Sequence, residues 1–393
     1  MSKTVIVSAV RTPIGRFGGA LKGFSAAQLG GIAIKETLNR VNHPLEMIDD
    51  VIMGTVLQGG QGQLPSRQAL RNAGLPWETR SETINKVCAS GMRSVMLSDL
   101  LIRSGESKRI VAGGMESMSN TPFYQTSIRW GNKMGNTELK DGLLVDGLTC
   151  SFTGVHMGIY GSEVAKIEDI SREQQDEWAL RSQQLAVESI KTGKFEEEIV
   201  AIESVGKKGV VTKIEVDECP REDTTIEKLA KLSPAFDRDG TITAGNAPGL
   251  NDAGAALLLM SEEEAKLNGY LPLATIVATE SMAVEAKDFP RTPGYVIQTL
   301  LQKTNKKMSD IDLFEINEAF AAVVLASAKI ADIPLEKINV NGGAIALGHP
   351  IGASGARIIV TLINALKARG GGLGIAAICS GSGQGDAVLV EVR

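Results

Sequence analysis

Two cysteines and a histidine stand where the chain turns out of apolar, strand-like runs, and these are residue types that serve as nucleophiles and proton carriers. His349, one of only three histidines, lies in Gly342-Gly343-Ala344-Ile345-Ala346-Leu347-Gly348-His349-Pro350-Ile351-Gly352-Ala353-Ser354-Gly355. Glycines there let the backbone pass close to a bound molecule, and Pro350 stiffens the chain beside the imidazole. Cys379 opens a second glycine-rich segment, Cys379-Ser380-Gly381-Ser382-Gly383-Gln384-Gly385, while Cys88 sits far upstream in Ile84-Asn85-Lys86-Val87-Cys88-Ala89-Ser90-Gly91. Apolar periodicity continues beyond Cys88, so it is expected at the start of a helix, whose unpaired N–H groups and positive dipole end favour a thiolate. Asn317 follows the apolar run Leu313–Ile316 and is expected to open a helix, a common use of asparagine. The ordinary alternatives are an inert buried thiol and a satisfied core histidine.

The elements that must position these residues alternate. Strand-like runs at Val5–Val7, Val51–Val56, Ile84–Val87 and Ile110–Ala112 are separated by helical patterns near Ser25–Arg40, Ser66–Ala73 and Ser90–Ser104, which implies a mixed α/β sheet. The pattern restarts after Asn251-Asp252: strands at Ala253–Met260 and Leu273–Thr279, a helix near Tyr295–Lys303, Leu313–Ile316, a helix from Asn317, another near Ala353–Arg369, and strands at Ile375–Ile378 and Ala387–Val392. The halves read as diverged copies. Cys88 ends a strand leading into a helix in the first, and Cys379 follows the equivalent late strand in the second. Between them, 119–246 is richer in charge and turns and reads as an insertion.

Composition removes several functional classes. A chain of 393 residues exceeds the usual single-domain size, so two or more packed units are expected. A net charge of −5, from 41 basic and 46 acidic residues interspersed along the chain, offers no basic face for nucleic acid or an anionic membrane. No window approaches the ~20 apolar residues of a membrane span. The four cysteines, Cys88, Cys150, Cys219 and Cys379, are too widely spaced for a disulfide scaffold, and no CxxC pair suggests zinc. Reduced thiols and a cytoplasmic setting fit, and no metal is expected. Neither GxGxxG after a strand nor a Walker A pattern occurs, so any nucleotide-bearing ligand needs another kind of groove.

The segments around Cys88, His349 and Cys379, together with Glu315-Ile316-Asn317-Glu318-Ala319-Phe320, resemble the thiolase family of acyl-CoA acyltransferases, nearly end to end from Ala9-Val10-Arg11-Thr12-Pro13-Ile14-Gly15 to the C-terminal strand. The resemblance implies an α/β fold of two similar five-stranded, mixed-sheet halves in an α-β-α-β-α arrangement, with residues 1–118 and 247–268 as the first half, 119–246 as an inserted loop domain, and 269–393 as the second. It implies that Cys88 accepts the acyl group, His349 takes the Cys88 proton and then binds a thioester oxygen, and Cys379 removes and returns the α-proton. Asn317 would hold a water that forms the first oxyanion hole with His349, and the N–H groups of Cys88 and Gly381 would form the second. A coenzyme A groove would meet His156, Met157, Arg221, Leu229, Phe236, Ala244, Pro248, Phe289, Ala319 and Phe320.

The implied activity is reversible condensation of two acetyl-CoA to acetoacetyl-CoA and coenzyme A, with coenzyme A thioesters as substrates and no cofactor. Two alternatives are a 3-ketoacyl-CoA thiolase of fatty-acid degradation and a non-catalytic acyl-CoA or lipid carrier. Three places depart from the usual pattern of biosynthetic thiolases: Pro248 stands where a serine meets pantetheine, Ser382 where a glycine is common, and the stretch Phe289-Pro290-Arg291-Thr292 replaces Met-Gly-x-Gly beside the acyl pocket. Phe123–Gly135, with Trp130 and Met134, resembles a tetramerisation loop, which implies a homotetramer built as a dimer of dimers.

Overall fold

The computed structural model describes residues 3–205 and 209–393; Met1 and Ser2, which flank the expected first strand, lie outside the described residues. The main strands are β1 (Thr4–Arg11), β2 (Asp50–Gly54), β3 (Arg80–Ile84), β4 (Arg109–Ser117), β5 (Asn251–Ser261), β6 (Ala274–Ala283), β7 (Leu313–Ile316), β8 (Gly372–Ser380) and β9 (Gln384–Val392). The principal helices are α1 (Ala26–Asn39), α2 (Pro65–Asn72), α3 (Ser90–Ser104), α4 (Met157–Ile167), α5 (Arg172–Lys191), α6 (Thr292–Thr304), α7 (Ala321–Ala331) and α8 (Ile351–Lys367).

The strands run in the order β7-β8-β9-β6-β1-β5-β4-β2-β3. Two mixed halves meet at one corner, where Thr4–Ile6 of β1 pairs antiparallel with Ala274–Ile276 of β6. In the first half β2 runs parallel to both β3 and β4, and in the second β7 runs parallel to β8. The second half has four strands where five were expected. Its fifth place is held by a single parallel bridge from Phe314 to Ile338, because the next residues turn away with Asn339 and Gly342 at positive φ.

Helices α1 and α2 cover the outer face of the first half, α6 and α7 that of the second, and α3 and α8 lie between the two sheets. The result is the five-layered α-β-α-β-α arrangement. Strand β1 is buried on both faces: Val5, Val7 and Val10 pack under α1, whereas Ile6 and Ala9 join the central cluster with Met92, Val95, Ile358 and Leu362. Every residue of α8 from Ile351 to Ile363 is buried, as a helix walled in on all sides must be.

Asn317 does not open a helix. Its N–H bonds to Ala377 O at 3.0 Å and prolongs the β7 ladder, Ala319 N closes a tight turn onto Asn317 O, and α7 starts only at Ala321. The inserted segment carries α4, α5 and two short hairpins, Phe123–Tyr124 with Lys140–Asp141 and Ile202–Val205 with Val211–Ile214. Buried charges tie it to the body. Glu318 accepts Trp178 Nε1 at 2.9 Å and Ser182 Oγ at 2.7 Å, both from α5. Arg11 meets Glu198 at 2.6 Å and Asp217 at 2.7 Å, all three buried. Removing one partner of such a set typically costs ~3–5 kcal/mol. Among the described residues, no helix is long and apolar enough to cross a membrane.

Candidate active site

Cys88 lies in the turn between β3 and α3, two residues ahead of the helix, which starts at Ser90. Val87, just before it, has φ +46°, a conformation that a β-branched residue adopts only under constraint. Side chains supply part of that constraint. Asn85 Oδ1 accepts Val87 N at 3.0 Å, Ser90 Oγ donates to Val87 O at 2.6 Å, and Ser380 Oγ, from the other half of the molecule, donates to Lys86 O at 2.6 Å. Cys88 directly precedes the helix N-cap, Ala89, yet the thiolate expected there is not favoured. Burial pushes the thiol up to about 11, although the N–H groups of Gly381 and of Cys88 itself pull the other way. At neutral pH Cys88 is a thiol that needs a base.

His349 can be that base because its tautomer is dictated by its neighbours. Ser354 Oγ donates to Pro350 O at 3.0 Å, so the 2.6 Å contact between Ser354 Oγ and His349 Nδ1 has the imidazole N–H as donor. Nε2 keeps its lone pair, and Asn317 Nδ2 lies 3.5 Å from it. Burial, helped by the charge of the buried Arg357, pushes the imidazole down to about 3, so His349 is neutral at physiological pH. Its backbone is pinned as well. His349 N donates to Asn251 Oδ1 at 2.8 Å, while Asn251 Nδ2 donates to Gly15 O at 3.0 Å. Gly348 must be glycine here: φ is +113° and a Cβ would sit 2.5 Å from the Asn251 carboxamide.

Cys379 is the penultimate residue of β8 and is fully buried beside Phe289, Ala319, Phe320 and Met157. Burial first and neighbouring Cys88 second push its thiol well above the ordinary range. Gly381 follows in the turn before β9 and directs its N–H at the Cys88 sulfur. A Cβ at Gly381 would come 3.2 Å from Val87 Cγ1, so the two turns approach through the absence of a side chain. Asn317 Oδ1 is buried with no hydrogen-bond partner in the protein.

A cleft of about 850 Å³ opens over these groups, between the insertion and the body. Cys88, His349 and Gly381 line it, and so do His156, Met157, Arg221, Leu229, Phe236, Ala244, Pro248, Phe289, Ala319 and Phe320. Asn317 and Cys379 lie behind that lining, fully buried. His156 is the N-cap of α4: its Nδ1 accepts Gly158 N at 3.1 Å and its ring stacks on Phe236 at 4.2 Å. Burial lowers its pKa, which suits a neutral ring that forms part of an apolar wall. Arg16, Phe17, Gln183 and Cys219 also line the cleft. No local pattern marked them, because three-dimensional packing alone brings them to the rim. Ser354 was readable in principle, lying five residues beyond His349 in the same glycine-rich segment.

The proposed equivalence of Cys88 and Cys379 as strand ends is corrected by the sheet register. Gly54 pairs with Gly114 across β2 and β4, and Ile316 pairs with Ala377 across β7 and β8. Counting two residues on, Cys379 corresponds to Glu116. Cys88 and His349 correspond instead, each two residues ahead of a central helix, α3 and α8.

The fold is a mixed α-β-α-β-α sandwich whose two halves each lend a pre-helix residue, Cys88 and His349, to one cleft, with a second cysteine behind it. The family models for the thiolase N-terminal and C-terminal domains match residues 4–263 and 270–392. An acetyl-CoA acetyltransferase of Escherichia coli (strain K12) is 48% identical over 392 residues, covering 100% of this chain and 99% of the relative. One from Syntrophomonas wolfei is 46% identical over 394 residues, covering 99% of each. The crystal structure of the Bacillus anthracis acetyl-CoA acetyltransferase superposes with a TM-score of 0.98 at 42% identity, covering 100% of this chain and 99% of that one. The chain belongs to the thiolase family.

Proposed function

We propose that the protein is an acetyl-CoA C-acetyltransferase, interconverting two acetyl-CoA with acetoacetyl-CoA and free coenzyme A through an acetylated Cys88. The observation that carries this reading is the meeting of the Cys88 thiol, the unprotonated Nε2 of neutral His349 and the Gly381 N–H at the floor of one cleft, with the Cys379 thiol directly behind. In the cleavage direction, Cys88 Sγ attacks the 3-keto carbon of acetoacetyl-CoA as its proton passes to His349 Nε2. The N–H groups of Cys88 and Gly381 hold the resulting oxyanion, each such donor being worth ~3 kcal/mol. The C2–C3 bond breaks, the enolate oxygen is held by His349 and a water on Asn317, and Cys379 gives its proton to the enolate carbon, releasing acetyl-CoA. Incoming coenzyme A then yields its thiol proton to Cys379 and attacks the acetyl group, and His349 returns its proton to Cys88. Condensation is the reverse.

A buried Cys379 suits both directions. It rests as a thiol able to protonate carbon, and its thiolate, once formed, is basic enough for an α-proton. The substrates supply all the chemistry that the side chains lack, so the reading calls for no cofactor. Trp130 and Met134, 90% and 94% exposed on the projecting loop, support a homotetramer that covers them. A cytoplasmic enzyme of fatty-acid metabolism is the matching setting.

Phe289 favours short acyl groups. It is buried with Phe320 and Ala319 in the cluster that holds Cys379, and Tyr160 packs edge-on against it at 6.4 Å. Thiolysis rates across chain length test the proposal. Catalytic efficiency should be highest for acetoacetyl-CoA and decline by the six-to-eight-carbon substrates, in steps of ~1–3 kcal/mol at most. Phe289→Ala should flatten the decline. An optimum at eight carbons or beyond would replace this reading with a degradative 3-ketoacyl-CoA thiolase.

A further inference from the structure

Lys86 has no part in the cycle above, yet its side chain crosses from one half of the molecule to the other beneath the nucleophile. Its Nζ lies 2.5 Å from Asp386 Oδ1 on β9. Asp386 is fully buried and accepts Ser281 Oγ of β6 on the same oxygen at 2.7 Å, while Lys86 is 15% exposed. The main chain of Lys86 is held as tightly. Its N–H donates to Ser90 Oγ at 2.8 Å, and its carbonyl accepts Ala89 N at 3.1 Å and Ser380 Oγ at 2.6 Å.

Both proposed oxyanion donors depend on this residue's neighbours. The Cys88 N–H belongs to the peptide that follows Val87, so rotation of Val87 away from φ +46° would swing that N–H out of line. The Gly381 N–H belongs to the peptide that follows Ser380, whose hydroxyl is bound to Lys86 O. A β-branched residue at positive φ is strained by ~1–3 kcal/mol and persists only where its surroundings over-determine it. Asn85 and Ser90 are local and move with the turn. The ion pair to Asp386 and the Ser380 bond anchor it to the other half.

We propose that Lys86 and Asp386 are positioning residues: their ion pair is a strut between the halves that keeps Val87 in its strained conformation and so aligns the Cys88 and Gly381 N–H groups on one oxyanion. This rests on Cys88 as the acyl acceptor. The strut touches no substrate and acts on the oxyanion rather than on binding.

The test compares Lys86→Met, Lys86→Arg and Asp386→Asn in the full-length protein, with Ser281→Ala as control. A displacement of about 1 Å at a reacting geometry costs roughly 10²-fold. Lys86→Met and Asp386→Asn should therefore lower kcat for acetoacetyl-CoA thiolysis by roughly that factor with KM within about threefold, and acetylation by acetyl-CoA should slow in parallel. Lys86→Arg, which keeps the charge, should recover most of the loss, and Ser281→Ala should stay near wild type. Near-normal kcat in both disrupted variants overturns the strut, as does a loss that appears in KM. Failure of both to fold assigns the pair to stability and overturns it too. Mass spectrometry of the wild type separates the parent reading: without an acetyl adduct on Cys88, that assignment fails whatever the strut variants do.

Discussion

The two halves of the molecule follow one path and put different chemistry on it. Where the second half has Cys379, the first has Glu116; where the second has Asn317, the first has Thr55. Glu116 is fully buried and saturated, accepting Thr55 Oγ1 at 3.0 Å, Val56 N at 3.0 Å, Leu57 N at 3.2 Å and Gly352 N at 2.8 Å. Cys379 sits among apolar side chains instead. One copy is a clamp that ties the first half to the start of α8, beside His349, while the other places a thiol in an apolar cluster behind the cleft. At the pre-helix position the split is different, since the proposed function uses both copies chemically, Cys88 as nucleophile and His349 as base. Neither half holds a complete site.

The sharpest way to break this division is Cys88→Ser. A hydroxyl is far less ionised than even a thiol raised to about 11, so turnover should fall by at least ~10⁴-fold and no acyl-enzyme should form. Mass spectrometry after mixing with acetyl-CoA decides it. A persisting acetyl adduct would move the nucleophile elsewhere.

The paired positions Cys379 and Glu116 should respond in opposite ways. Cys379→Ala should still acetylate Cys88 yet lose ~10³-fold in acetoacetyl-CoA turnover, because only proton transfer at carbon is removed. Glu116→Gln should leave a folded enzyme's acetylation within a few-fold but lower its stability by ~1–3 kcal/mol, since the amide NH2 would face donors that one carboxylate oxygen now accepts. Half-reaction rates and denaturant unfolding of both variants test the contrast. Normal turnover in Cys379→Ala would assign the base elsewhere.

Much of the fold and site was legible in the sequence, and the misses have physical causes. The β7 run Leu313–Ile316 matches its expected limits residue for residue, and α3 spans Ser90–Ser104 as its periodicity indicated. Those segments are governed by local pattern. Asn317 as a helix opener failed because the strand ladder to Ala377 outcompeted local capping preference. The Cys88 thiolate failed because burial, a property of the finished fold, outweighed the local backbone donors. The strut from Lys86 to Asp386 spans 300 residues of sequence, and nothing near either residue foretells the other.

The resting protonation state of Cys88 separates the two pre-helix residues further. With the thiol pushed up to about 11 and the imidazole down to about 3, both are neutral between those limits and no thiolate–imidazolium pair is preformed. Alkylation of free enzyme by iodoacetamide, which needs the thiolate, should therefore rise about tenfold per pH unit from 7 to 10 without levelling. Peptide mapping isolates the Cys88 adduct. A plateau below pH 8 would mean that the base takes the proton before substrate arrives.

The smallest effect lies in the turn after Cys379, where the comparison concerns backbone rather than side chain. Ser382 has φ +65° and is followed by Gly383 at φ +77°, so two successive residues occupy the left-handed region and only one is glycine. An L side chain there costs ~1–2 kcal/mol, while glycine loses more freedom on folding, roughly 0.5–1 kcal/mol. The difference favours glycine slightly. Ser382→Gly should therefore stabilise the protein by ~0.5–1 kcal/mol, read as a higher denaturation midpoint at constant slope. Turnover should stay within about twofold, since Gly381 N–H, on the far side of that residue, keeps its direction through Ser380. A lower midpoint would show that the left-handed serine fits without strain, and a large loss of kcat would show that the hydroxyl takes part in holding the turn against Val87.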